Sequence, residues 1–578
     1  PEQLPALVLT YGTLQAVGVP PMLGRWFTAG DDSAGTPETV ILSYGYWQRR
    51  FSGNPSVLGS SVTIDSRPRE VIGVMPQSFR FLNTEAAVIL PQRFQGADLL
   101  PNDVHSYVGI ARLKPGVSLA QANADVGRML PIWIRERGTN SNVLTAARFG
   151  AALRPVKQDV IGDVGSVVWL LMGTIGVVLV IACANVANLL LVRAEGRRQE
   201  FTLRAALGAG WSHIARHMLV ESLALALLGG ILAVGLAYVG LQFLVATAPA
   251  TLPRLGEISI DPLVLIFALA MSLLSALLFG LLPILKHAGA KGAQALHGAA
   301  RGDSRTLSHG RGPRRSQNTL VFVQVALAVV LLVSAGLMIR SFVALRSVEP
   351  GFVDPDRIQT VRISIPEGRA AEPARVARVQ QDIMTEIARI SGVTSASFTT
   401  ALPMELDYEN NTVVTAADKT YSEGIPQLRR SKSVGPGFFQ TMGIPLLVGR
   451  DFTWTDIEGR RRVAIVSNNL AREWWGEPSA AIGKQIRIGR GGPLNVIIGV
   501  AGVIYDSGAD QPPPTVVYWR AGAQDAFGPL PTFVPRDMAF AMRSDQAGTE
   551  DLIRQVARAV WAVDSNLPLA RVQTLGEI

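Results

Sequence analysis

The sequence predicts a polytopic α-helical membrane protein with two homologous α+β domains on the extracytoplasmic side. Three observations predict this fold class: long uncharged stretches in the middle of the chain, an uneven distribution of lysine and arginine between them, and an internal repeat outside them. The 578 residues are 48% hydrophobic and only 17% charged. Soluble domains carry about 25% charged residues, so one ordinary soluble protein is excluded.

Four stretches without a charged side chain are each long enough to cross a bilayer, which requires about 20 helical residues. They cover residues 166–192, 222–247, 262–285 and 316–339. Soluble helices average about 11 residues, so buried core helices are a poor explanation for four such stretches. We therefore expect four membrane-spanning helices.

The basic residues between these stretches predict the orientation, because short cytoplasmic connections are rich in lysine and arginine. The connection between the second and third stretches holds only Arg254. The other two connections hold Arg193, Arg197, Arg198, Arg204 and Arg216, and then Lys286, Lys291, Arg301, Arg305, Arg311, Arg314 and Arg315. We expect both basic connections in the cytoplasm. The net charge of +9 is then largely a topology signal, and nucleic acid is not an expected partner.

These boundaries divide the chain into successive parts. We expect a first extracytoplasmic core domain at 1–163, a permease domain with three transmembrane helices at 164–287, a basic linker at 288–315, a fourth transmembrane helix at 316–339 and a second extracytoplasmic core domain at 340–578. The linker is rich in glycine and arginine, which is typical of a mobile cytoplasmic segment that can contact anionic lipid.

The two outer regions repeat each other. Leu14–Thr28 reads LQAVGVPPMLGRWFT, and Phe439–Thr453 reads FQTMGIPLLVGRDFT. The similarity continues from Val40–Gly59 to Ala464–Gly483, and conserved order over this length indicates a duplication. The second copy carries far more sequence before its repeated segment than the first does. We therefore expect that the chain belongs to a longer protein, truncated here inside the first outer domain and before the permease helices of the second.

The second copy contains a recognisable α+β pattern. Residues 358–365 read as a strand, and a second strand is expected at 393–399. Between them, apolar residues recur at helical spacing: Val376, Val379, Ile383, Ile387 and Ile390. The order predicts a split βαβ unit beside a second lobe built from the repeated strands.

The sequence contains no pattern that predicts an enzyme. Its single cysteine, Cys183, excludes an intrachain disulfide, and His105 is the only histidine in the expected outer regions. The His-Glu-x-x-His helix, the Gly-x-Ser-x-Gly elbow and the Walker loop are all missing from the sequence. We expect no catalytic, metal or cofactor site, and a separate polypeptide for any ATPase activity.

The connection from Arg193 to Ser222 mixes charged residues with Phe201, Leu203, Leu207 and Trp211. It predicts a short amphipathic helix on the cytoplasmic membrane face, ended by the glycines at 208 and 210. One interpretation is a coupling helix that docks into a cytoplasmic partner; the other is a plain interfacial turn anchored by arginines.

Polar and small residues inside the expected spans predict contacts between helices. Asn185 and Asn188 lie near the inner end of the first stretch, where an amide in lipid needs a hydrogen-bonding partner. A substrate path is the alternative for these two residues. Gly229 and Gly230 in the second stretch indicate close helix packing.

The segment Cys183–Gly210, CANVANLLLVRAEGRRQEFTLRAALGAG, resembles the permease core of the FtsX/MacB class of ABC transporters, and the outer repeats resemble MacB-type periplasmic core domains. Two such units in one chain are similar to the ADOP group of duplicated ABC permeases. The family pattern has four helices in each half, whereas this chain has three helices of the first half and one of the second. The resemblance implies porter-like and sabre-like lobes outside the membrane. It also implies that a separate ATPase is contacted by Glu200, Arg204, Ala205, Leu207, Gly208 and Ala209.

The resemblance implies a permease subunit in the inner (plasma) membrane. Such a subunit transmits ATP-driven conformational change to the outer domains for export or release of a substrate. An alternative within the family is an FtsX-like regulator of an extracytoplasmic enzyme. An alternative of another class is a membrane-tethered sensor or adhesion protein. The expected partners are the separate ABC ATPase, membrane lipid, and a periplasmic adaptor or other extracytoplasmic protein.

Overall fold

The computed structural model describes the chain except for residues 1, 34, 83, 85, 95–106, 137–149, 162–163, 197–210, 248–259, 275–276, 278–311, 406–407, 409, 422–427, 490–491, 509–510 and 523–533. The chain forms two compact units. One contains Pro1–Asp159 together with Leu345–Ile578, and the other is Val160–Ala344. These limits lie within a few residues of the expected boundaries between membrane and outer parts.

The membrane unit consists of helices Val164–Gly196, Trp211–Thr247, Pro262–Leu274 and Gly312–Arg346. Three windows in these helices are long and apolar enough to cross a membrane: Val168–Val186, Leu223–Thr247 and Val321–Leu345. No residue within these three described windows is buried by the rest of the protein. Apolar side chains exposed around a whole helix fit a lipid environment, so these three spans agree with the sequence prediction.

The third expected span is only partly described, and the fourth lies within a longer helix. Only Pro262–Leu274 of the expected span 262–285 is described as a shorter apolar helix, and most of the remainder lies outside the described residues. The helix that contains the expected span 316–339 runs from Gly312 to Arg346, and its window suited to crossing a membrane is Val321–Leu345. This window includes Arg340, whose long aliphatic stem allows its charged end to reach a polar surface.

In the part of the first outer domain that the structure describes, the strands form one six-stranded sheet. Its strands are β1 (Ala6–Leu9), β2 (Leu23–Gly24), β3 (Thr39–Leu42), β4 (Ser61–Ile64), β5 (Arg67–Val74) and β6 (Val88–Pro91), with helices Thr13–Val17, Tyr44–Phe51, Leu119–Glu136 and Val156–Ile161 and a 3-10 turn at Pro55–Val57. The order is β1-β6-β3-β5-β2, and β4 pairs with β5. All four residues of β3 are buried, which fits the apolar run Val40–Leu42, and the hydroxyl of buried Thr39 donates to Asp31.

The described residues of the second outer domain form eleven strands. They are β7 (Ile358–Ser364), β8 (Val393–Thr399), β9 (Asn411–Ala416), β10 (Leu428–Val434), β11 (Leu446–Gly449), β12 (Val463–Ser467), β13 (Gln485–Ile488), β14 (Asn495–Ala501), β15 (Val516–Arg520), β16 (Asp537–Ser544) and β17 (Ala570–Thr574). The helices are Pro373–Ala388, Phe438–Met442, Trp454–Glu458, Asn468–Trp475 and Glu550–Val563, and 3-10 turns lie at Pro355–Arg357, Pro478–Ala481 and Leu575–Glu577.

Strands β17, β7, β16 and β8 form an antiparallel sheet in that order. Helix Pro373–Ala388 connects β7 to β8, and helix Glu550–Val563 connects β16 to β17, so the split βαβ prediction is correct. Val376, Ile383 and Ile387 are buried, whereas Val379 is partly buried and Ile390 lies beyond the end of the helix. The other lobe is inserted between β8 and β16.

The inserted lobe closes on itself. The strand order β15-β12-β14-β13-β9-β10 is completed by parallel pairing of β10 with β15, which makes a ring of six strands. Its interior is filled by side chains such as Ala464, Ile486 and Trp519, all at 0% exposure. The ring joins the four-stranded sheet where Val434 of β10 pairs with Thr399 of β8.

The structure confirms the duplication at the level of strand register. Strands β1 to β6 correspond in order and pairing to β10 to β15. Gly24 pairs with Gly73, and Gly449 pairs with Gly499 at the equivalent position. Both copies also shift register after the second residue of the central strand, between Val40 and Ile41 and between Ala464 and Ile465. Shared bulges are a more specific sign of common origin than sequence similarity alone.

Candidate functional site

The coupling segment lies between two spanning helices. Its predicted contact residues Glu200, Arg204, Ala205, Leu207, Gly208 and Ala209 all lie outside the described residues. The helix before it continues to Gly196, and the helix after it begins at Trp211, so the connection is shorter than the stretch 193–222. The contact with an ATPase and the amphipathic helix therefore remain predictions.

The polar residues predicted inside the membrane lie on helix Val164–Gly196. Asn185 falls inside the span Val168–Val186 with an exposed side chain, and Asn188 lies two residues beyond it. A contact of either amide with a neighbouring helix remains a prediction. Close helix packing does occur at Gly230, where an added Cβ atom would lie 3.1 Å from Ser272 Oγ of helix Pro262–Leu274. An added Cβ on Gly229 would meet nothing within 4 Å.

A glycine in the left-handed backbone region begins a tight corner in each outer domain. Gly24 has φ of +78°, and Gly449 has φ of +85°. A Cβ atom on either glycine would lie only 2.1 Å from a carbonyl oxygen of the adjacent strand, that of Ile72 or Ile498. Only glycine fits both the conformation and the close approach, which explains its presence in both copies.

The arginine after each glycine binds an aspartate six residues further on. Arg25 and Asp31 form two hydrogen bonds of 2.7 Å and 3.2 Å, and Arg450 and Asp456 form two of 2.6 Å and 3.0 Å. The aspartates are 5% and 0% exposed, although their arginines are about half exposed. This bidentate geometry fixes the corner in a single conformation.

Further hydrogen bonds stabilise both carboxylates in the ionised form. Burial opposes ionisation of Asp31, but hydrogen bonds from Arg25 and Thr28 outweigh it and hold its pKa well below the usual range. For Asp456, the hydrogen bond from Arg450 is the largest cause, and it lowers the pKa to about 2 against the opposing effect of burial. Thr453 Oγ1 also donates to Asp456 at 2.8 Å. We infer a rigid, charge-stabilised corner in both copies.

Two buried cations hold the short segment Thr400–Glu405, which links the four-stranded sheet to the inserted ring. From the sheet, Arg362 of β7 forms ion pairs with Glu405 and Asp537, and its guanidinium carbon lies 3.4 Å from the centre of the Tyr408 ring. Burial raises the pKa of the Tyr408 phenol. Arg362 is 2% exposed and Glu405 is 7% exposed.

From the ring side, Lys432 of β10 binds the same segment. Its Nζ donates to the carbonyl oxygens of Ala401 and Leu402 at 3.2 Å and 3.0 Å and forms an ion pair of 2.5 Å with Asp506. Both ends of this ion pair are almost fully buried, at 1% and 2% exposure. Burial lowers the pKa of Lys432, and the neighbouring Asp506 opposes that effect. We call this segment, Thr400–Glu405, with its charged partners the junction. The junction couples the two lobes through fixed charges rather than through a flexible linker.

Sequence reasoning missed the aspartates of the corner and the charges of the junction. The repeat alignment stopped at Thr28 and Thr453, three residues before the shared aspartates, so extending it would have found them. A lone basic residue in an apolar strand, as in IQTVRIS of β7, was the available signal for the junction. Among the residues that the structure describes, no group of three or more His, Cys, Asp or Glu side chains could hold a metal ion.

Comparison with known protein families supports this architecture. The model of the MacB-like periplasmic core domain matches residues 6–129 and 325–559, which together are more than half of the chain. The chain belongs to the MacB-like periplasmic core domain family. The model of the FtsX-like permease C-terminal region matches residues 172–291, between the two MacB-like segments. The recognition of an FtsX/MacB-class ABC permease is confirmed, and the MacB-like chain is a membrane protein with extracytoplasmic domains and a permease-type role.

Several curated relatives of this MacB-like chain are ABC transporter proteins. It is 26% identical over 234 residues to the probable export ATP-binding/permease protein MacB of Pseudomonas entomophila, covering 40% of this chain and 33% of that protein. It is 27% identical over 275 residues to the uncharacterized ABC transporter permease YknZ of Bacillus subtilis, covering 47% of this chain and 64% of that protein. The MacB-like chain therefore matches less than two thirds of the length of either relative.

A solved structure also resembles part of the MacB-like chain. It is the periplasmic region of MacB from Actinobacillus actinomycetemcomitans, which is 11% identical and has a TM-score of 0.26. The match covers 37% of this chain and 88% of that one.

Proposed function

We propose that this chain is the permease subunit of an ABC transporter and transmits ATP-driven conformational change from a separate cytoplasmic ATPase to its outer domains. The observation that carries the proposal is the order of parts: an FtsX-like permease segment at 172–291 lies between MacB-like core-domain segments at 6–129 and 325–559. The names of the MacB relatives combine ATP-binding and permease functions, which favours an ATPase as the source of the movement. The expected outcome is export or release of a substrate.

The helix Gly312–Arg346 is suited to transmit a movement. Its 35 residues correspond to about 50 Å of continuous helix, more than the roughly 30 Å of bilayer hydrocarbon. The domain that follows this helix in the chain is the second outer domain, so a displacement of the helix would be passed on along the chain to it. We propose a multi-pass arrangement in the inner membrane with the outer domains at the extracytoplasmic ends of such helices.

The outer domain at the end of this helix is built to move as one body. Arg362 and Lys432 attach its sheet and its ring to the same segment, Thr400–Glu405. A mechanical stroke produces work outside the membrane only if the receiving domain does not absorb it by bending. This supports the mechanical role, which requires two states with different contacts.

The test begins with co-purification of the full chain and an ABC ATPase encoded beside it. We expect association, and we expect ATP hydrolysis to be faster in the complex than in the ATPase alone. The double variant Arg204→Glu and Leu207→Glu should abolish association while membrane insertion is retained. The matched control is Arg50→Glu, an exposed position in the first outer domain. Association that survives the double variant would reject the proposed contact residues.

The alternatives predict different results in the same preparation. An FtsX-like regulator would also stimulate the ATPase, but the stimulated complex would activate an extracytoplasmic enzyme and move no substrate. A membrane-tethered sensor or adhesion protein would bind no ATPase. Absence of an ATPase from the purified protein, together with unchanged hydrolysis on mixing, would therefore reject both the transporter and the regulator.

The chain is proposed to have no catalytic activity of its own. A hydrolysis assay of the purified permease without its ATPase should show only background release of phosphate. Release above background that is removed by a substitution in this chain would overturn this part of the proposal.

A further inference from the structure

We infer that the two outer domains of one chain bind each other through a small charge-complementary surface, which we call the hairpin latch. The hairpin latch consists of the β4–β5 turn, Asp65 and Ser66, with Arg67 in the first domain, and of Glu367 and Gly368 after β7 in the second domain. This contact is independent of which substrate the protein handles or whether it transports one.

The hairpin latch combines an ion pair with close backbone packing. Arg67 Nη2 lies 2.7 Å from Glu367 Oε2. A Cβ atom added to Gly368 would lie 2.9 Å from Ser66 Cβ and 3.7 Å from the carbonyl oxygen of Asp65. The turn of one domain therefore rests directly on a glycine of the other, and a side chain at this position would require a small shift of the turn.

The geometry of the turn holds Arg67 in place. Asp65 and Ser66 both have positive φ, +53° and +64°, as in the tight two-residue turn that matches the twist of a β-hairpin. Ile64 pairs with Arg67 across the turn, so the arginine is the first residue of β5. The equivalent hairpin of the second domain, β13–β14, has a longer connection, because Ile488 and Asn495 are its flanking residues. The tight two-residue turn is thus specific to the first domain.

The charged residues around the β4–β5 turn favour an acidic partner. Glu38 is approached by three arginines, Arg67 at 3.4 Å, Arg69 at 2.9 Å and Arg93 at 3.6 Å. Asp65 of the turn is a second carboxylate near these arginines, so three guanidinium groups face two carboxylates and this edge of the first domain keeps one positive charge. Glu367 supplies a third carboxylate from the other domain. Such complementarity selects the partner and its orientation.

An exposed ion pair contributes little affinity between free molecules, and here Arg67 and Glu367 are 41% and 64% exposed. The two domains are parts of one polypeptide, however, so binding is intramolecular and occurs at a high effective concentration. Residues 1–159 and 345–578 also form one compact unit. These facts favour the second domain of the same chain over another copy as the partner.

Disulfide crosslinking of the full chain in membrane vesicles tests the hairpin latch. The variant combines Ser66→Cys and Gly368→Cys with Cys183→Ser, and a protease site is inserted in the linker 288–315. Disulfide formation needs Cβ atoms about 3.5–4.5 Å apart, which a shift of about 1 Å at the turn would provide. After oxidation and cleavage, we expect the two halves to stay together on a non-reducing gel and to separate when the disulfide is reduced.

Charge reversal makes the test specific and checks that the crosslink reflects docking rather than random collision. Arg67→Glu in the double-cysteine chain should slow crosslinking several-fold, and adding Glu367→Arg should restore the rate. Arg50→Glu, the matched control, should leave it unchanged. The inference is overturned by halves that separate without reduction, by crosslinks between two chains only, or by a rate that does not respond to Arg67→Glu.

Discussion

Arg450 binds both carboxylate oxygens of Asp456, at 2.6 Å and 3.0 Å, and Arg25 binds Asp31 in the same way in the first outer domain. The pair fixes the chain direction immediately after β11, and the backbone N–H and hydroxyl of Thr453 donate to the same carboxylate. A buried aspartate of this kind stabilises the fold only in its charged form.

Replacing Asp456 with asparagine should lower the stability of the second outer domain by about 2 kcal/mol at pH 7, because hydrogen bonds to a charged acceptor are lost. The pKa of Asp456 is lowered to about 2, mainly by Arg450, so its stabilising effect is complete above about pH 4 and is lost as the pH falls through about 2. The difference between wild type and variant should therefore shrink over that window. Urea unfolding followed by tryptophan fluorescence measures it, with the exposed Asp382→Asn as control. A difference independent of pH would contradict the charge-based explanation.

Replacing Asp451 with asparagine should have the opposite sign. Burial raises the pKa of Asp451 to about 6, although the backbone N–H groups of Phe452 and Gly437 donate to it. A carboxyl with a raised pKa stabilises the protein below about pH 4, and this contribution is lost as the pH rises through about 6. The variant should thus be more stable than wild type at pH 8, by about 1 kcal/mol, and equal to it at pH 4. Unfolding temperatures at both pH values decide this, and a less stable variant at pH 8 would show that the hydrogen bonds dominate.

Replacing Gly449 with alanine should destabilise the second outer domain by about 3 kcal/mol or more. The new Cβ would lie 2.1 Å from the carbonyl oxygen of Ile498, so the backbone of β14 would have to move. Gly483 is the matched control, since its φ is +80° but an added Cβ meets nothing within 4 Å. Gly483→Ala should cost about 1 kcal/mol, because only conformational strain is involved. Equal losses in urea unfolding would mean that the contact with Ile498 is not the cause.

Replacing Lys432 with methionine should be one of the most damaging single changes in the second outer domain. The variant leaves the almost fully buried Asp506 without its 2.5 Å partner, and breaking a buried ion pair costs about 3–5 kcal/mol. The double variant Lys432→Met and Asp506→Leu should recover part of this loss, because the buried carboxylate that Lys432 paired with is also removed. The recovery is incomplete, because buried Arg430 then loses its own ion pair with Asp506. Lys484→Met removes an exposed ion pair with Asp418 and should cost less than about 1 kcal/mol. A double variant no more stable than Lys432→Met would contradict the prediction.

Membrane orientation can be checked with repeat-related positions. Ser56 and Ser479 are both exposed and follow the prolines of the equivalent 3-10 turns Pro55–Val57 and Pro478–Ala481. In a chain carrying Cys183→Ala, cysteine at either position should react with an impermeant thiol reagent in cells with a permeabilised outer envelope. Cysteine at Ser308, in the basic linker, should react only after the inner membrane is opened. Labelling of the Ser308 position before that step would invert the predicted topology.

Several parts of the structure could be predicted because their signals are local. The spans Val168–Val186 and Leu223–Thr247 and the strand β8 agree closely with the sequence, since the length and spacing of apolar residues report directly on helix and strand. The duplication was also legible, and the matching registers of Gly24 with Gly73 and of Gly449 with Gly499 bear it out.

The structure does not describe the residues of the predicted ATPase contact. Arg204 and Leu207 of the coupling segment lie outside the described residues, so their contact with an ATPase rests on the sequence and on the family. The structure instead adds two charged features to the outer domains. A sequence shows that Lys432 and Asp506 are present, but 74 residues separate them, and their meeting depends on how the intervening strands pair.

The sequence by itself determined the membrane-spanning segments and the alternation of strand and helix, because each follows from periodicity within about 20 residues. It also determined the repeat, because the two copies align residue by residue. Only the tertiary structure decided that β10 pairs with β15 to close a ring, that this ring is inserted between β8 and β16, and which charges are buried at the junction. The physical reason is that pairing register and burial depend on contacts between residues far apart in the chain, which no local pattern specifies.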